Sequence, residues 1–388
     1  MADLLVVCNG KGEDYIASRV LERLRAHAPG LRVEAFPLVG VGEQLEAAGV
    51  QVVGPRRDLP SGGFTMHSPG LLWRDLRAGL ADLTLAQARF LGRRRPRGVF
   101  VVGDVYAQAH AALVPAPRRV LQTLVSVHHG GGEGPGLRWF MEGFRAPELA
   151  LLRRADRVYA RDPATAEWLA RSGVPAACLG NPMMDGLEAE PLVPPGSSDL
   201  PVVALLPGSR GQAGASLDLM RRALEVARPT VGLVAWAGRM TPGRPEGWVP
   251  DDSAPAGVTA AWRRGERRLW LTTGRFPAVL ASADAVVGTA GTANEQAVGL
   301  GLPVVAFPVP PFYGEAYMRN QKRLLEGGLL TCEAAPERVA AMLELALTDA
   351  TLRERARRAG AERMGAPGAS DALARDLAAW LAGVGERR

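Results

Sequence analysis

Lysine is almost missing from this chain: among 46 basic residues in 388, only Lys11 and Lys322 are lysines. The rest of the positive charge is arginine, and the formal balance of +6 is compatible with nucleic acid, anionic lipid or a phosphorylated ligand without selecting one. Cysteine is as scarce. Cys8, Cys178 and Cys332 lie far apart with no CxxC or metal-ligand spacing, which argues against a disulfide framework and suits a reducing compartment. All five histidines precede residue 130, in spacings that make no metal site, so no metal is expected. Long apolar runs are absent too. Each is strand-sized and interrupted by Gly, Pro or charge, so neither a transmembrane helix nor a signal peptide is expected. The expected location is the cytoplasm, with peripheral contact at the inner face of the cytoplasmic membrane.

Three motif absences narrow the chemistry. No glycine-rich loop ends in the lysine of a P-loop, which argues against ATP hydrolysis of that kind. No GxGxxG follows the first strand, and no acid stands at the end of the second strand to hold an adenosine ribose, which argues against a dehydrogenase. The one dense basic run, Arg93-Arg94-Arg95-Pro96-Arg97, has no interleaved aromatic residue and reads as a solvated loop, so nucleic acid is not an expected partner.

What is present is material for two cores. With 47% hydrophobic and 22% charged residues, a chain of this length divides by default into two domains. Apolar strands alternate with amphipathic helices: Leu4 to Cys8, a helix from about Asp14 to Ala28, Val33 to Phe36, Gln51 to Val53, then a helix over Leu71 to Leu91. Val99 to Val102, Val120 to Leu124 and Arg157 to Ala160 follow as strands, the last before Asp162 as a helix cap. Glu188 to Asp199 is rich in Pro, Gly and Ser and reads as a linker, giving a first domain of 1–187 and a second of 200–369. The second set of strands is Val202 to Leu206, Val231 to Ala237, Arg268 to Leu271, Ala285 to Val287 and Val304 to Phe307. A terminal helix within 370–388, over about Ser370 to Leu381, is expected to pack back on the first domain. The fold class is therefore α/β, two Rossmann-like domains facing each other across a cleft, with ligands at the carboxyl ends of the strands.

Polar turns follow those strands. Val286 to Glu295 runs from a buried strand through Gly288-Thr289-Ala290-Gly291-Thr292 into a helix, and a helix start with glycines is an anion site. Glu295 stands one helical turn in, where its carboxylate would take the hydroxyls of a ribose. Leu205-Leu206-Pro207-Gly208-Ser209-Arg210 ends another strand with a glycine, a hydroxyl and a guanidinium, a set suited to a diphosphate. Thr272-Thr273-Gly274-Arg275-Phe276 would bring backbone groups to a base edge. In the first half, Asn9, Gly10, Lys11, Gly12, Glu13 and Asp14 form a turn suited to a sugar or acceptor hydroxyl, or simply a tight turn with capping acids. Asp104, just after the strand ending at Val102, stands where a general base would deprotonate an acceptor; His128-His129 is the other candidate for proton transfer.

These segments, with Leu179-Gly180-Asn181-Pro182-Met183-Met184-Asp185-Gly186-Leu187, resemble lipid-A-disaccharide synthase and, more closely, the glycosyltransferases related to it. The resemblance implies a GT-B fold, an acceptor site mainly in the first domain, a UDP-sugar site mainly in the second, and inversion at the anomeric carbon without metal or other cofactor. It implies that Ser209 and Arg210 contact the diphosphate, Gly291 and Thr292 its oxygens, and Glu295 the ribose, with Asn294, Asn320 and Gln321 also on the donor side. Asp104 is the analogue of the synthase's carboxylate, with Asp14, Glu13 and His129 as rivals because Gly-Asp-Val-Tyr departs from the synthase pattern. The implied function is hexosyl transfer from a UDP-sugar to a lipid or lipid-linked acceptor in envelope glycolipid synthesis. A nucleotide-sugar 2-epimerase and a non-catalytic nucleotide-sugar-binding protein are the alternatives. Two apolar stretches that carry arginines, Phe64 to Leu76 and Leu137 to Leu152, suit either an anionic membrane or the core.

Overall fold

Leu4–Cys8 is five apolar residues in a row, all buried, as a parallel strand covered on both faces requires. The computed structural model that shows this describes residues 2–59, 69–129, 144–238, 240–310 and 313–386. The chain divides into two units, 1–185 with 366–388, and 186–365.

The first unit begins with β1 (Leu4–Cys8), α1 (Lys11–His27), β2 (Val33–Pro37), α2 (Glu43–Ala47), β3 (Gln51–Val52), α3 (Pro69–Arg77) and α4 (Leu80–Gly92). It continues through β4 (Gly98–Val102), α5 (Val105–Ala111), β5 (Arg118–Leu121), α6 (Ala146–Leu152), β6 (Arg157–Tyr159), α7 (Pro163–Arg171) and β7 (Ala176–Ala177). The sheet order is β3-β2-β1-β4-β5-β6-β7, and all its pairings are parallel. Strand order reverses between β1 and β4, so the loops after Cys8 and Val102 leave the sheet side by side. Phe36, Leu91, Val101 and Leu152 lie in the core that covers it.

The second unit comprises β8 (Val202–Leu206), α8 (Ala213–Val226), β9 (Val231–Trp236), β10 (Val249–Pro250), β11 (Ala260–Arg264), β12 (Arg267–Thr273) and α9 (Phe276–Ser282). Then come β13 (Ala285–Gly288), α10 (Thr292–Gly299), β14 (Val304–Ala306), α11 (Glu315–Leu325), β15 (Leu329–Thr331), α12 (Pro336–Thr348) and α13 (Ala350–Arg363). Its sheet order is β10-β11-β12-β9-β8-β13-β14-β15, parallel except for the antiparallel β10 and β11 at one edge. Here the order reverses between β8 and β13.

The last helix, α14 (Ala369–Glu386), returns to the first unit and lies against α1. Its Asp376 accepts from Arg157 at 3.0 Å and also pairs with Arg119 and Tyr159, while Trp380 Nε1 donates to Asp156 at 3.0 Å. The N–H groups of Gly368 and Ser370 donate to the Asp185 carboxylate, which caps the helix start. The run Asn181 to Leu187 thus has a structural use: Asn181 caps a short 3-10 turn and Asp185 anchors the terminal helix.

Three departures from the sequence reading have local causes. The helix expected over Leu71 to Leu91 is two helices, because Gly79 takes a left-handed φ of 90° between them. The first helix starts at Lys11 rather than near Asp14, with Gly10 as its cap. Segment 188–199 carries no helix or strand, yet Leu192 and Val193 are buried and Val193 N–H donates to Ser282 Oγ at 3.1 Å within the second unit.

Candidate functional site

In the second unit the two diphosphate-type turns leave adjacent strands. The Leu205 and Val287 pairing of β8 with β13 carries Pro207–Arg210 and Thr289–Thr292 to the same edge of the sheet, at its switch point. Thr289 N–H donates to Leu206 O at 3.0 Å and its hydroxyl to Pro207 O at 3.3 Å, which ties one turn to the other. Gly208 has a φ of 85°, a left-handed conformation that favours glycine, while a Cβ there would be in ordinary contact with Thr289 O at 3.6 Å. Gly291, the cap residue of α10, has no side chain to cap the helix, and its carbonyl accepts from the N–H groups of Asn294 at 3.1 Å and Glu295 at 3.3 Å. Ser209 and Thr292 are exposed, Arg210 is half-buried, and Glu295 in the first turn of α10 retains 9% exposure.

Two residues expected to contact the donor do something else. Asn294 is fully buried, and its side-chain amide donates to Gly288 O at 3.1 Å, Tyr313 Oη at 3.2 Å and Gln321 Oε1 at 3.1 Å. Gln321, 3% exposed, accepts from Tyr313 Oη at 2.7 Å and donates to Gly291 O at 2.8 Å. Both side chains therefore bond the Gly288–Gly291 turn within the protein. Asn320, the neighbouring residue on α11, is half-buried. The Gly274, Arg275 and Phe276 turn follows β12, two strands from β8; Gly274 has a φ of 69°, Phe276 opens α9, and Arg275 is exposed with its guanidinium beside Gly257.

The switch point of the first unit joins Asn9 to Asp104. Gly103 has a φ of 145°, and a Cβ there would lie 2.9 Å from Asn9 Cβ. Asp104 caps α5, its Oδ1 accepting from Tyr106 N–H at 2.9 Å, and the Asn9 amide also donates to the carboxylate. Burial raises the Asp104 carboxyl above its usual range, against those hydrogen bonds. It remains half-buried, with an edge open to solvent. Gly10 and Gly12 begin α1 and Glu13 is half-buried in its first turn; of Lys11 only the backbone is described.

The rival bases are less suitable. Asp14 is 2% exposed, beside the Cys8 thiol, whose acidity its charge helps to suppress, and it faces a cavity of about 40 Å³ walled by Val41, Gly42, Glu43 and Gln44. That cavity admits a water, not a sugar. His129 is held to about 4 by burial and the nearby Arg161 charge, with Nδ1 accepting from Ser126 N–H at 3.2 Å. Such a ring is neutral at pH 7 but weakly basic. His128 lies 3.6 Å from Asp162, whose carboxylate caps α7 and takes the hydroxyls of Ser126 and Thr165 at 2.8 Å each. Sequence reasoning missed Glu148 altogether, a buried carboxyl on α6 bonded to Gln108 and Gln122. A lone glutamate on a short helix carries no signal of burial.

Among the described residues no three His, Cys, Asp or Glu side chains are grouped to hold a metal ion, and no helix is long and apolar enough to cross a membrane. Of the apolar stretches, residues 64–68 and 137–143 lie outside the described residues. Phe144 stacks on Trp168 with centroids 5.4 Å apart and Leu152 is fully buried, so that part of the second stretch is core.

No family model matches the chain. Over 177 residues it is 32% identical to the lipid-A-disaccharide synthase of Alkalilimnicola ehrlichii, a match covering 41% of this chain and 42% of that one. The match thus spans less than half the length of this curated relative. CalG4, the calicheamicin glycosyltransferase, superposes with a TM-score of 0.61 at 16% identity over 99% of this chain and 98% of its own. MurG of Acinetobacter baumannii does so with 0.57 at 15% identity over 97% and 99%. The fold is GT-B. A UDP-N-acetylglucosamine 2-epimerase is also similar, with a TM-score of 0.55 at 14% identity over 99% of this chain and 96% of its own. Identities this low establish the GT-B architecture, two Rossmann-like units of mainly parallel sheet, and leave activity to be argued from the residues.

Proposed function

We propose that this GT-B chain is an inverting, metal-independent hexosyltransferase that moves a sugar from a UDP-sugar to a lipid or lipid-linked acceptor in envelope glycolipid synthesis. The observation that carries the reading is the meeting of Pro207–Arg210 with Thr289–Thr292 at the switch point of the second sheet. Ser209, Arg210 and the first turn of α10 hold the diphosphate, and Glu295 takes the ribose hydroxyls. As the bond from sugar to UDP breaks, negative charge grows on the β-phosphate. Helix N–H groups and the Arg210 guanidinium oppose that charge without reorganising.

Asp104 is the base in this reading. Burial weakens it as an acid and so brings its pKa nearer the working pH, and its hydrogen bonds fix its rotamer. Asn9 orients it, and the turn from Gly10 to Glu13 supplies polar groups for the acceptor. The acceptor's lipid character is supported by α3, which exposes Trp73 and Leu76 beside Arg74 and Arg77, a composition suited to an anionic bilayer at the inner face of the cytoplasmic membrane. The similarity to lipid-A-disaccharide synthase points the same way.

A 2-epimerase is the second reading, favoured by the epimerase that shares this architecture. The test is UDP release from a panel of UDP-sugars with and without an extract of the cell's lipids, followed by mass spectrometry of the lipid fraction. Release that depends on extract, with a hexose added to lipid, supports transfer. Interconversion or release without acceptor supports epimerisation, and UDP binding with no turnover on any acceptor leaves a binding protein.

A further inference from the structure

Glu148 belongs to no motif, yet its surroundings are built for one carboxyl group. It is 3% exposed on α6, and a single oxygen, Oε1, accepts from Gln122 Nε2 at 2.6 Å and from Gln108 Nε2 at 3.2 Å. Both amides are themselves buried, at 0% and 2% exposure. Gln108 stands one turn beyond Asp104 on α5, its N–H donating to Asp104 O at 3.0 Å. Gln122 is the first residue after β5; its N–H donates to Tyr159 O at 2.9 Å and its Oε1 accepts from Leu124 N–H at 3.3 Å. One carboxyl oxygen therefore joins the helix that Asp104 caps to the strand end that leads to His129.

We propose that Glu148 is a positioning residue for Asp104, clamping the middle of α5 to the end of β5 through Gln108 and Gln122. Below neutrality it does so as the protonated member of the two carboxyl groups. The inference rests on the glycosyltransferase reading for the role of Asp104 as base. Two carboxyl groups in one buried neighbourhood do not both ionise readily, and their other contacts decide where the proton stays. Asp104 accepts from the N–H groups of Tyr106 and Ala107 and from Asn9 at a helix start, all of which favour its charged form. Glu148 accepts from the two amides among the described residues, and burial together with the Asp104 charge holds its carboxyl up at about 7. Among the described residues, the titratable or charged groups on the elements about it include Asp104, Tyr106 and His110 on α5, His128 and His129 after β5, and Arg145 and Arg153 flanking α6. Of these, Asp104 is the one whose charge acts on Glu148.

The test uses the full chain and two readouts. Infrared titration follows the carboxylic C=O band of a protonated buried acid. The wild type is expected to lose one such band as pH rises through neutrality; Glu148→Gln lacks it, and Asp104→Asn keeps it but loses it at lower pH. Kinetics of UDP release supplies the second readout. Glu148→Ala should lower kcat by up to about 100-fold with the donor KM unchanged, the scale of a misplaced catalytic group. Glu148→Gln, which keeps the shape and can still accept from both glutamines, should restore most of kcat and remove an ionisation near neutrality from its pH profile. A band that titrates in the ordinary carboxylate range, or an alanine variant with wild-type kcat, overturns the proposal. A wild type with no turnover on any donor removes the glycosyltransferase reading instead, and the infrared arm still decides where the proton resides.

Discussion

A Cβ added at Gly288 would lie 2.0 Å from the Asn294 side-chain oxygen, so the last residue of β13 and the third residue of α10 occupy one another's space. Asn294 folds back under its own helix and bonds the Gly288 carbonyl, which fixes the turn on which the donor reading depends.

Asn294→Ala should therefore act on stability before it acts on binding. It removes a buried amide whose two N–H groups are shared among three oxygens, a loss of roughly 1 to 3 kcal/mol. Urea unfolding measures that loss, and UDP calorimetry should show weaker binding alongside it. Weaker binding with unchanged stability would mean that Asn294 reaches the ligand after all.

Glu295→Ala should show the reverse pattern. Its carboxylate keeps 9% exposure at the start of α10, and loss of hydrogen bonds from ribose hydroxyls should weaken UDP binding by roughly 1 to 3 kcal/mol. Unchanged UDP affinity in calorimetry would remove the ribose assignment.

Asp104→Asn keeps the cap of α5, since asparagine caps helices as well as aspartate does, but removes the proposed base. The expected result is a kcat lower by about 10² to 10⁴ with donor KM little changed and the helix intact by circular dichroism. A variant with wild-type kcat would move the base elsewhere, with Glu13 the nearest half-buried acid on the acceptor-side turn.

Stability should depend on pH through Glu148 and His129 in opposite senses. The folded-state value of Glu148, about 7, lies above its ordinary 4.5, so the folded chain holds a proton that the unfolded chain has released between those values. That stabilisation is complete below the lower value and is lost as pH rises through the upper one, roughly 3 to 4 kcal/mol in all. Glu148→Gln should consequently gain on the wild type between pH 5 and 8 in urea unfolding. His129, lowered from 6.5 to about 4, contributes stability above the first value that is lost as pH falls through the second. His129→Asn should flatten the acid limb of the same curve, and an acid limb identical to the wild type's would refute the buried neutral ring.

Asp185 joins the start of α14 to the rest of the first unit. Asp185→Ala should cost about 0.5 to 2 kcal/mol, the range for a lost helix cap, with faster amide exchange in the first turn of α14. Protection unchanged there would show that Asp376 and Trp380 hold the helix without it.

Much of the architecture was legible because parallel strands buried on both faces must be apolar throughout. Leu4–Cys8, Val202–Leu206 and Ala285–Gly288 are of that kind, and the turns that follow them carry their own glycines. Edge strands other than Gln51–Val52 were not legible. Val249–Pro250 and Leu329–Thr331 are too short and too mixed to stand out from loop. The break in the helix expected over Leu71 to Leu91 had a visible cause in Gly79, but an isolated glycine does not by itself announce a left-handed turn.

The candidate site divides in the same way. Pro207–Arg210 and Thr289–Thr292 could be named from sequence because backbone chemistry at a strand end and helix start is local, requiring only glycine, hydroxyl and charge in order. That they leave adjacent strands was decided by the sheet order, since residues 82 apart such as Pro207 and Thr289 become hydrogen-bonded neighbours only when β8 pairs with β13. The tertiary structure likewise turned Asn294 and Gln321 inward and put Glu148 beside Gln108 and Gln122, 40 and 26 residues away in sequence. Sequence determined which groups were available at each strand end; the sheets and the helices packed on them determined which of those groups meet and which are shut away from water.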